Sequence, residues 1–497
     1  MSIRQYIPVK AAVLPDPAVY CPTNGYVYDP VVITPPIPIP TPPAESITLL
    51  CSNFLSNTIY CIGTSALTYT VYDSTGAVFF TQNKTSNSYF TYNYSVSASN
   101  PYYTIIVTPQ AANHILTFSI AAHASYQYNQ PIYAAWIKAP YMTSWVSMFT
   151  QIITLQACTI LSTADSVVSM AGMFNATGIL SFKFPSSMNA LTTANLVFTN
   201  SMIKSVDWNN CSFPLLTIGT EMFNGCKFFR SLDMTISAPK LIYMDKFCYL
   251  NTSLKTANMN FDVTNITANI AMDNCFNTCP LLESVILPNF SNSTYTITLS
   301  YFVNYCTALK NLTYRGTLRT GSSVYMPIYK CPNIDTIRVK GDIVWISGSF
   351  ALVDTGQYSQ CPHIIFEKNV NNVIAMTGCK DLQFLQDITN ILNFQCLDGE
   401  FSSFNHPTMT FNRLVMGHRS GFKITDLNIN WAGCVFPAGT SSIPIIYFGG
   451  SYTAADCNAI YSALPVASVP TYIDFRTCAG YSTSTKTIAT AKNYLFL

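Results

Sequence analysis

A chain of 497 residues, 49% of them hydrophobic, has room for several domains and a large buried core. Only 10% of it is charged and the formal net charge is +2, with no Lys/Arg stripe, so there is no field to recruit nucleic acid or acidic ligands. Ser, Thr, Asn and Tyr must make up much of the surface, a composition that suits an extracellular or virion setting.

The first segment, "MSIRQYIPVKAAVLPDPAVYCP", is broken by prolines and contains no apolar h-region, so no signal peptide is expected. No run approaches the roughly 18 apolar residues of a spanning helix, so no membrane insertion is expected either. Seventeen cysteines, an odd number in a long chain, are expected to be reduced. Residues 1–44 form a tail that ends in the stretch "ITPPIPIPTPP" (33–43), whose prolines favour a stiff polyproline II spacer.

Residues 45–138 read as short strands: "SITLLCS", "TIYCIG", "ALTYTVYDS", "AVFFTQN", "SYFTYNYSV", "YYTIIVTP" and "ILTFSIAAH". Turn signals at "DSTG" and "SASNP" separate them, and the spacing predicts an antiparallel β-sandwich. Whether Cys51 and Cys61 in "CSNFLSNTIYC" form a disulfide stays open.

Residues 139–400 repeat. Phe149, Phe174, Phe198, Phe223, Phe247, Phe276 and Phe302 recur about every 25 residues, a period in the range of leucine-rich repeats. A second frame runs through cysteines. Cys226 is followed by Phe229 and Leu232, Cys279 by Leu282 and Val285, Cys306 by Leu309 and Leu312, and Cys331 by Ile334 and Ile337. Cys379 is followed by Leu382 and Leu385, and Cys361 by Ile364 before the frame weakens. In other units the same frame places Asn251, Asn200 and Ala176 at the cysteine position. A disulfide or a metal site does not tolerate that exchange, whereas a small buried residue does. The cysteine is therefore expected to be structural, one column of a stacked core.

The unit Phe-Asn-x-Cys-x-x-Leu-x-x-Leu, seen best in "GMFNATGILSF", "EMFNGCKFFRSL" and "CFNTCPLLESVIL", resembles the BspA-type leucine-rich repeat. That resemblance implies a curved solenoid with one strand per unit on its concave face. It also implies the role of a surface adhesin of bacteria or protists, or of a phage protein. Residues 401–497 read as degenerate repeats and a C-terminal cap. "YTAADCNAIYSALP" is expected to be a helix capped by Thr453, with Ala454, Cys457, Ile460 and Leu464 on one face, and "TYIDFRTCAG" a strand and turn. The tail "IATAKNYLFL" is similar to an ending found after such repeats in phage and Bacteroidetes surface proteins.

No catalytic constellation emerges. His114, His123, His363, His406 and His418 fall in no metalloprotease or hydrolase motif, and Cys361 with His363 is only the nearest Cys/His pair in sequence. Asp73, Asp354 and Asp426 sit near turns, and "CLDGEF" (396–401) is one short acidic turn. The sequons at Asn93, Asn175, Asn251, Asn265 and Asn311 are attributed to composition, and no glycans are expected. No catalytic residue, cofactor or metal ligand is assigned. The 31 tyrosines, interleaved with Ser and Asn, make a recognition composition, although Tyr also suits strands. The expected function is that of a non-enzymatic virion structural protein, a capsid decoration, fibre or tail appendage. Its N-terminal region would meet other virion proteins, and its repeats would meet a host-surface glycan or protein. It is expected to be a homo-oligomer. The alternative is a cell-surface adhesin with the same fold.

Overall fold

In the computed structural model the described residues are continuous over 132–290, 295–320, 328–341 and 452–497, with shorter segments between 43 and 120 and between 343 and 450. The Pro-rich spacer and tail lie outside them, apart from Pro43. The protein is mainly β, a β-solenoid of about 10 turns with two α-helices among the described residues. None of its described helices is long and apolar enough to cross a membrane. Two compact units divide the chain: Met1–Arg230 with Thr235–Pro239, and Ser231–Met234 with Lys240–Leu497.

The first unit opens on antiparallel strands. Ser46–Ser52 pairs with Tyr102–Pro109 on one side and Ile132–Lys138 on the other, and Leu67–Tyr72 follows Tyr102–Pro109, then Val78–Lys84. Asn57–Cys61 and Ser88–Tyr92 form a separate antiparallel ribbon, and Phe90 stacks on Tyr69 with centroids 4.3 Å apart. Six of the seven expected strands are present. The seventh, "ILTFSIAAH", makes only a bridge from Thr117 to Ser144 among its described residues. Ile132–Lys138 escapes the alternation rule because Ala134 and Ala135 are both buried. It is also the strand on which the sheet changes character. Its far edge pairs in parallel with Ala157–Ile160, which leads to Ser181–Lys183 and Ser205–Asp207. The antiparallel strands and the first repeats thus share one sheet, and no sheet boundary falls at residue 138.

In the second unit the parallel register carries Ser231, Thr256, Ser284, Asn311, Thr336, His363 and Asp381 in one column. The next column holds Leu232, Ala257, Val285, Leu312 and Ile337, all buried. Period-2 alternation explains this: one face of each short strand points to the core and the other to solvent. Leu282, Leu309 and Ile334 are buried as the repeat frame requires. The turns differ from the single strand per unit that the resemblance implies. Parallel pairs also join Ile270–Ala271 to Ile297–Thr298, and Phe276–Asn277 to Val303–Asn304 and then Ile328–Tyr329. Some turns therefore contribute three strands.

At the C-terminal end, Ile446–Gly450, Thr471–Cys478 and Tyr494–Phe496 pair in parallel. The helix Ala454–Ala463 begins at Thr453 as expected, with a capping box in which Thr453 Oγ1 accepts from Asp456 N and Asp456 Oδ2 accepts from Thr453 N at 2.8 Å. Cys457, Ile460 and Leu464 are buried. Lys492, from the "IATAKNYLFL" tail, donates to Ser462 O and Leu464 O at 2.6 Å each, so a cation closes the helix end where carbonyls lack intrahelical partners.

Candidate functional site on the repeat turns

The described corners from 147 to 305 turn through two residues in the left-handed region, four apart in sequence. Among them are Ser147 and Gln151, Gly172 and Ala176, Leu196 and Asn200, Glu221 and Gly225, Lys246 and Leu250, Asn274 and Thr278, and Tyr301 and Tyr305. Lys330 holds the second such position of a further turn. The corner N–H groups between them donate to carbonyls of the following turn, as with Phe174 N to Val197 O at 2.8 Å and Phe276 N to Phe302 O at 2.8 Å. These left-handed residues fix the true frame of the repeat and correct two alignments.

The aromatic slot lies two residues before the second left-handed residue. It holds Phe149, Phe174, Phe198 and Phe223, which stack with centroids 5.8, 5.6 and 5.3 Å apart. In later turns it holds Cys248, Phe276, Val303 and Ile328, and the register pairs Phe276 with Val303, not with Phe302. Phe247 and Phe302 sit one residue upstream. Both positions are buried, so the ring and its neighbour exchange places without exposing either. Phe276 and Phe302 accordingly meet edge to face at 89°.

The cysteine slot immediately follows the second left-handed residue. It holds Cys226, Asn251, Cys279, Cys306 and Cys331, but Thr177 and Ser201 where sequence alignment places Ala176 and Asn200. The early turns carry one residue fewer before the next buried apolar side chain, Ile179 or Ile203, which shifts the frame. The first corner places buried Ile152 there; from Thr177 on, the corrected column as described is small and, cysteine included, able to donate a hydrogen bond. Four thiols donate to the carbonyl of the aromatic slot one turn back: Cys226 to Phe198 O at 2.8 Å, Cys279 to Cys248 O at 3.1 Å, Cys306 to Phe276 O at 2.8 Å and Cys331 to Val303 O at 3.6 Å. A buried carbonyl has two lone pairs to satisfy, and the thiol supplies a donor in the space of a methylene or two. Burial pushes the Cys226 thiol up to about 12 and the Cys306 and Cys331 thiols well above the usual range. Such thiols are poor nucleophiles.

The other candidate groups are also committed locally. Asp73 Oδ1 accepts from Thr75 Oγ1, Thr75 N and Ala77 N, and these bonds, the Thr75 hydroxyl first, hold its carboxyl below the usual range. His114 Nδ1 lies 2.9 Å from Glu45 Oε2, and the His114 ring packs on Tyr141. The side chain of His363 and residues Cys361, Cys379, His123, His406, His418, Asp354, Asp426 and 398–400 lie outside the described residues, as does the Cys61 side chain opposite the Cys51 question. No cluster of metal-ligating side chains occurs among the described residues. Of the sequons, Asn251 is wholly buried and Asn93 is outside the description.

The outward strand face carries polar side chains, while Leu161, Val168, Leu215 and Leu281 are exposed elsewhere. On the strand face Ser231 and Thr256 share a hydrogen bond of 2.9 Å, Asn258 donates to Asp233 at 3.1 Å, and Lys183 pairs with Asp207 at 3.2 Å. The tyrosines divide. Tyr69, Tyr314, Tyr452, Tyr461 and Tyr494 are core residues, while Tyr141, Tyr243 and Tyr305 are exposed. One group forms on consecutive corners. Tyr329 meets Tyr301 and Tyr305 edge to face, at 5.8 and 6.5 Å, and Lys330 Nζ lies over the rings of Tyr305 at 4.4 Å and Tyr329 at 5.1 Å. Sequence reading missed it, since its members occupy different slots of two turns.

No family model matches the chain, and neither the curated proteins nor the solved structures give a match.

Proposed function

We propose that the chain is a non-enzymatic virion structural protein, a capsid decoration, fibre or tail appendage whose repeats serve assembly or attachment to a host surface. One observation carries the reading. Backbone ladders hold outward columns rich in Ser, Thr and Asn at a fixed rise per turn, while the thiols are buried and bonded to backbone. Such a surface offers many weak contacts, and copies on a particle multiply them by avidity. In this reading the repeats are of the BspA-type leucine-rich kind, the antiparallel strands with the ribbon of Asn57–Cys61 and Ser88–Tyr92 make the sandwich, and the N-terminal region docks the chain to other virion proteins as a homo-oligomer. The repeat resemblance also favours a second reading, a cell-surface adhesin.

Quantitative mass spectrometry of purified particles beside a washed membrane fraction tests the choice. A fixed copy number relative to the major capsid protein is expected. Absence from particles together with enrichment in the cell envelope overturns the virion reading and leaves the adhesin.

A further inference from the structure

We infer that the corner formed by Tyr301, Tyr305, Tyr329 and Lys330 is a binding site for an anionic saccharide unit. The inference deepens the attachment reading and rests on it.

Three features coincide there. First, two left-handed slots hold tyrosine, Tyr301 (φ 51) and Tyr305 (φ 54), followed one turn on by Lys330 (φ 51); the other described corners place no aromatic residue in these slots. Second, the residue before the second left-handed position is commonly Asn, and in two turns its amide is tied to the first left-handed side chain. Asn224 Nδ2 donates to Glu221 Oε2 at 2.8 Å, and Asn277 Nδ2 donates to Asn274 Oδ1 at 2.9 Å. In the second of these turns Thr278 Oγ1 also donates to Asn277 Oδ1 at 2.9 Å; Tyr305 stands in the place of Thr278, and Asn304 Oδ1 is buried without a hydrogen-bond partner among the described residues. Asn304 is in register with Tyr329 and adjoins Tyr305. Third, Lys330 has no carboxylate partner among the described residues. It donates to Tyr305 Oη and lies 4.4 and 5.1 Å from the ring centroids of Tyr305 and Tyr329, and the Tyr305 hydroxyl, first among its neighbours, raises its pKa above the usual lysine value.

The chemistry of a ligand follows from these parts. Lys330 is a cation with no carboxylate partner among the described residues, so it attracts an anion. Tyr305 Oη accepts from Lys330, which leaves its own proton free for the same anion. The tyrosine rings are rigid flat surfaces, and Tyr305 is 45% exposed. Flat apolar C–H faces beside hydroxyls and one negative group describe a uronic-type or sulfated sugar. An acidic peptide matches the cation but makes no use of the ring faces.

Titration of the full chain by saturation-transfer NMR and calorimetry tests this, with glucuronate, galactose 6-sulfate, glucose, acetate and an acidic dipeptide as probes. A monosaccharide of this size is expected to bind with a Kd on the order of 1 mM. Glucose, acetate and the dipeptide should bind at least about fivefold more weakly, and comparison of glucuronate with the sulfated sugar identifies the anion. Tyr305→Ala and Lys330→Met should each weaken the acidic sugar at least about fivefold. Tyr243→Ala, an exposed tyrosine outside the corner, should leave it unchanged. Thermal melts identify any variant that has lost its fold, and the Lys330 variant keeps the apolar stem to limit that risk. Equal binding of glucose, acetate or the dipeptide, or wild-type binding by both corner variants, overturns the inference. Because the titration uses the isolated chain, such a result leaves the particle count untouched, and a chain absent from particles leaves the titration standing.

Discussion

From the second corner on, a cysteine recurs in these repeats because the slot it fills is both narrow and in need of a donor; the first corner fills it with Ile152. Cys226, Cys279, Cys306 and Cys331 share that slot with Thr177, Ser201 and Asn251, and every one of them is buried. Cys226→Ser should therefore stay within about 0.5 kcal/mol of wild type, since a hydroxyl donates to Phe198 O as well as a thiol does. Cys226→Ala should cost about 1 kcal/mol through the lost donor, and Cys226→Leu about 2 kcal/mol or more through overpacking. Urea midpoints at constant slope give this ranking. A serine variant as damaged as the leucine variant would refute the donor argument. The smallness of the column was legible in the sequence, but its register was not. Ala176 and Asn200 look equivalent to Cys226 until the left-handed residues are located, and Leu250, Tyr305 and Lys330 carry none of the Gly or Asn signal that marks such positions.

At the level of elements, the buried columns were the easiest part to read. Leu232, Val285, Leu312 and Ile337 stand at a spacing that only a stacked parallel strand satisfies. Ile132–Lys138 was hidden by its paired alanines, and the tyrosine corner by its spread over two turns. The turns also carry a ladder of carboxylates. Asp245 Oδ1 accepts from Asp273 N at 2.8 Å, and Asp273 Oδ1 accepts from Ser300 N at 2.7 Å. Burial, with a smaller contribution from the Asp273 charge, raises the Asp245 carboxyl above its ordinary 3.8. A raised carboxyl binds its proton more tightly in the folded chain. Its favourable contribution is complete below the unfolded value and fades as pH rises through the folded one. At neutral pH the charged Asp245 therefore works against folding. Asp245→Asn keeps the Oδ1 acceptor and removes the charge, so it should melt higher than wild type at pH 7. The difference should shrink as pH falls through the raised folded value and be gone below about 4, the unfolded carboxyl's own range. Melting curves of the two proteins across that range decide it, and a gap that stays constant with pH would assign the effect to packing.

At the scale of the whole molecule, a solenoid is held by contacts between successive turns, so an uncovered terminal turn exposes an edge that other chains can extend. Thr471–Cys478 covers Ile446–Gly450, and Tyr494–Phe496 in turn covers Thr471–Cys478. Phe448 stacks on Phe475 at 4.9 Å, and Tyr461 of the helix meets Phe475 at 4.9 Å and Phe496 at 5.3 Å. Lys492 closes the arrangement by binding the helix end. Removing residues 452–497 would take away both strands and the helix together. The strand "IYFGG", with Ile446 and Phe448 now buried, would be left as an apolar edge without a charged residue. The truncated chain should associate in a concentration-dependent way, seen as a rising mass in light scattering, and its thioflavin signal should grow as strands add edge to edge. Restoring the segment in trans as a separate peptide should slow that association. A truncated chain that stays at one mass across concentrations, and melts where the full chain does, would show that the edge is protected by other means and that residues 452–497 are an appendage to the ladder.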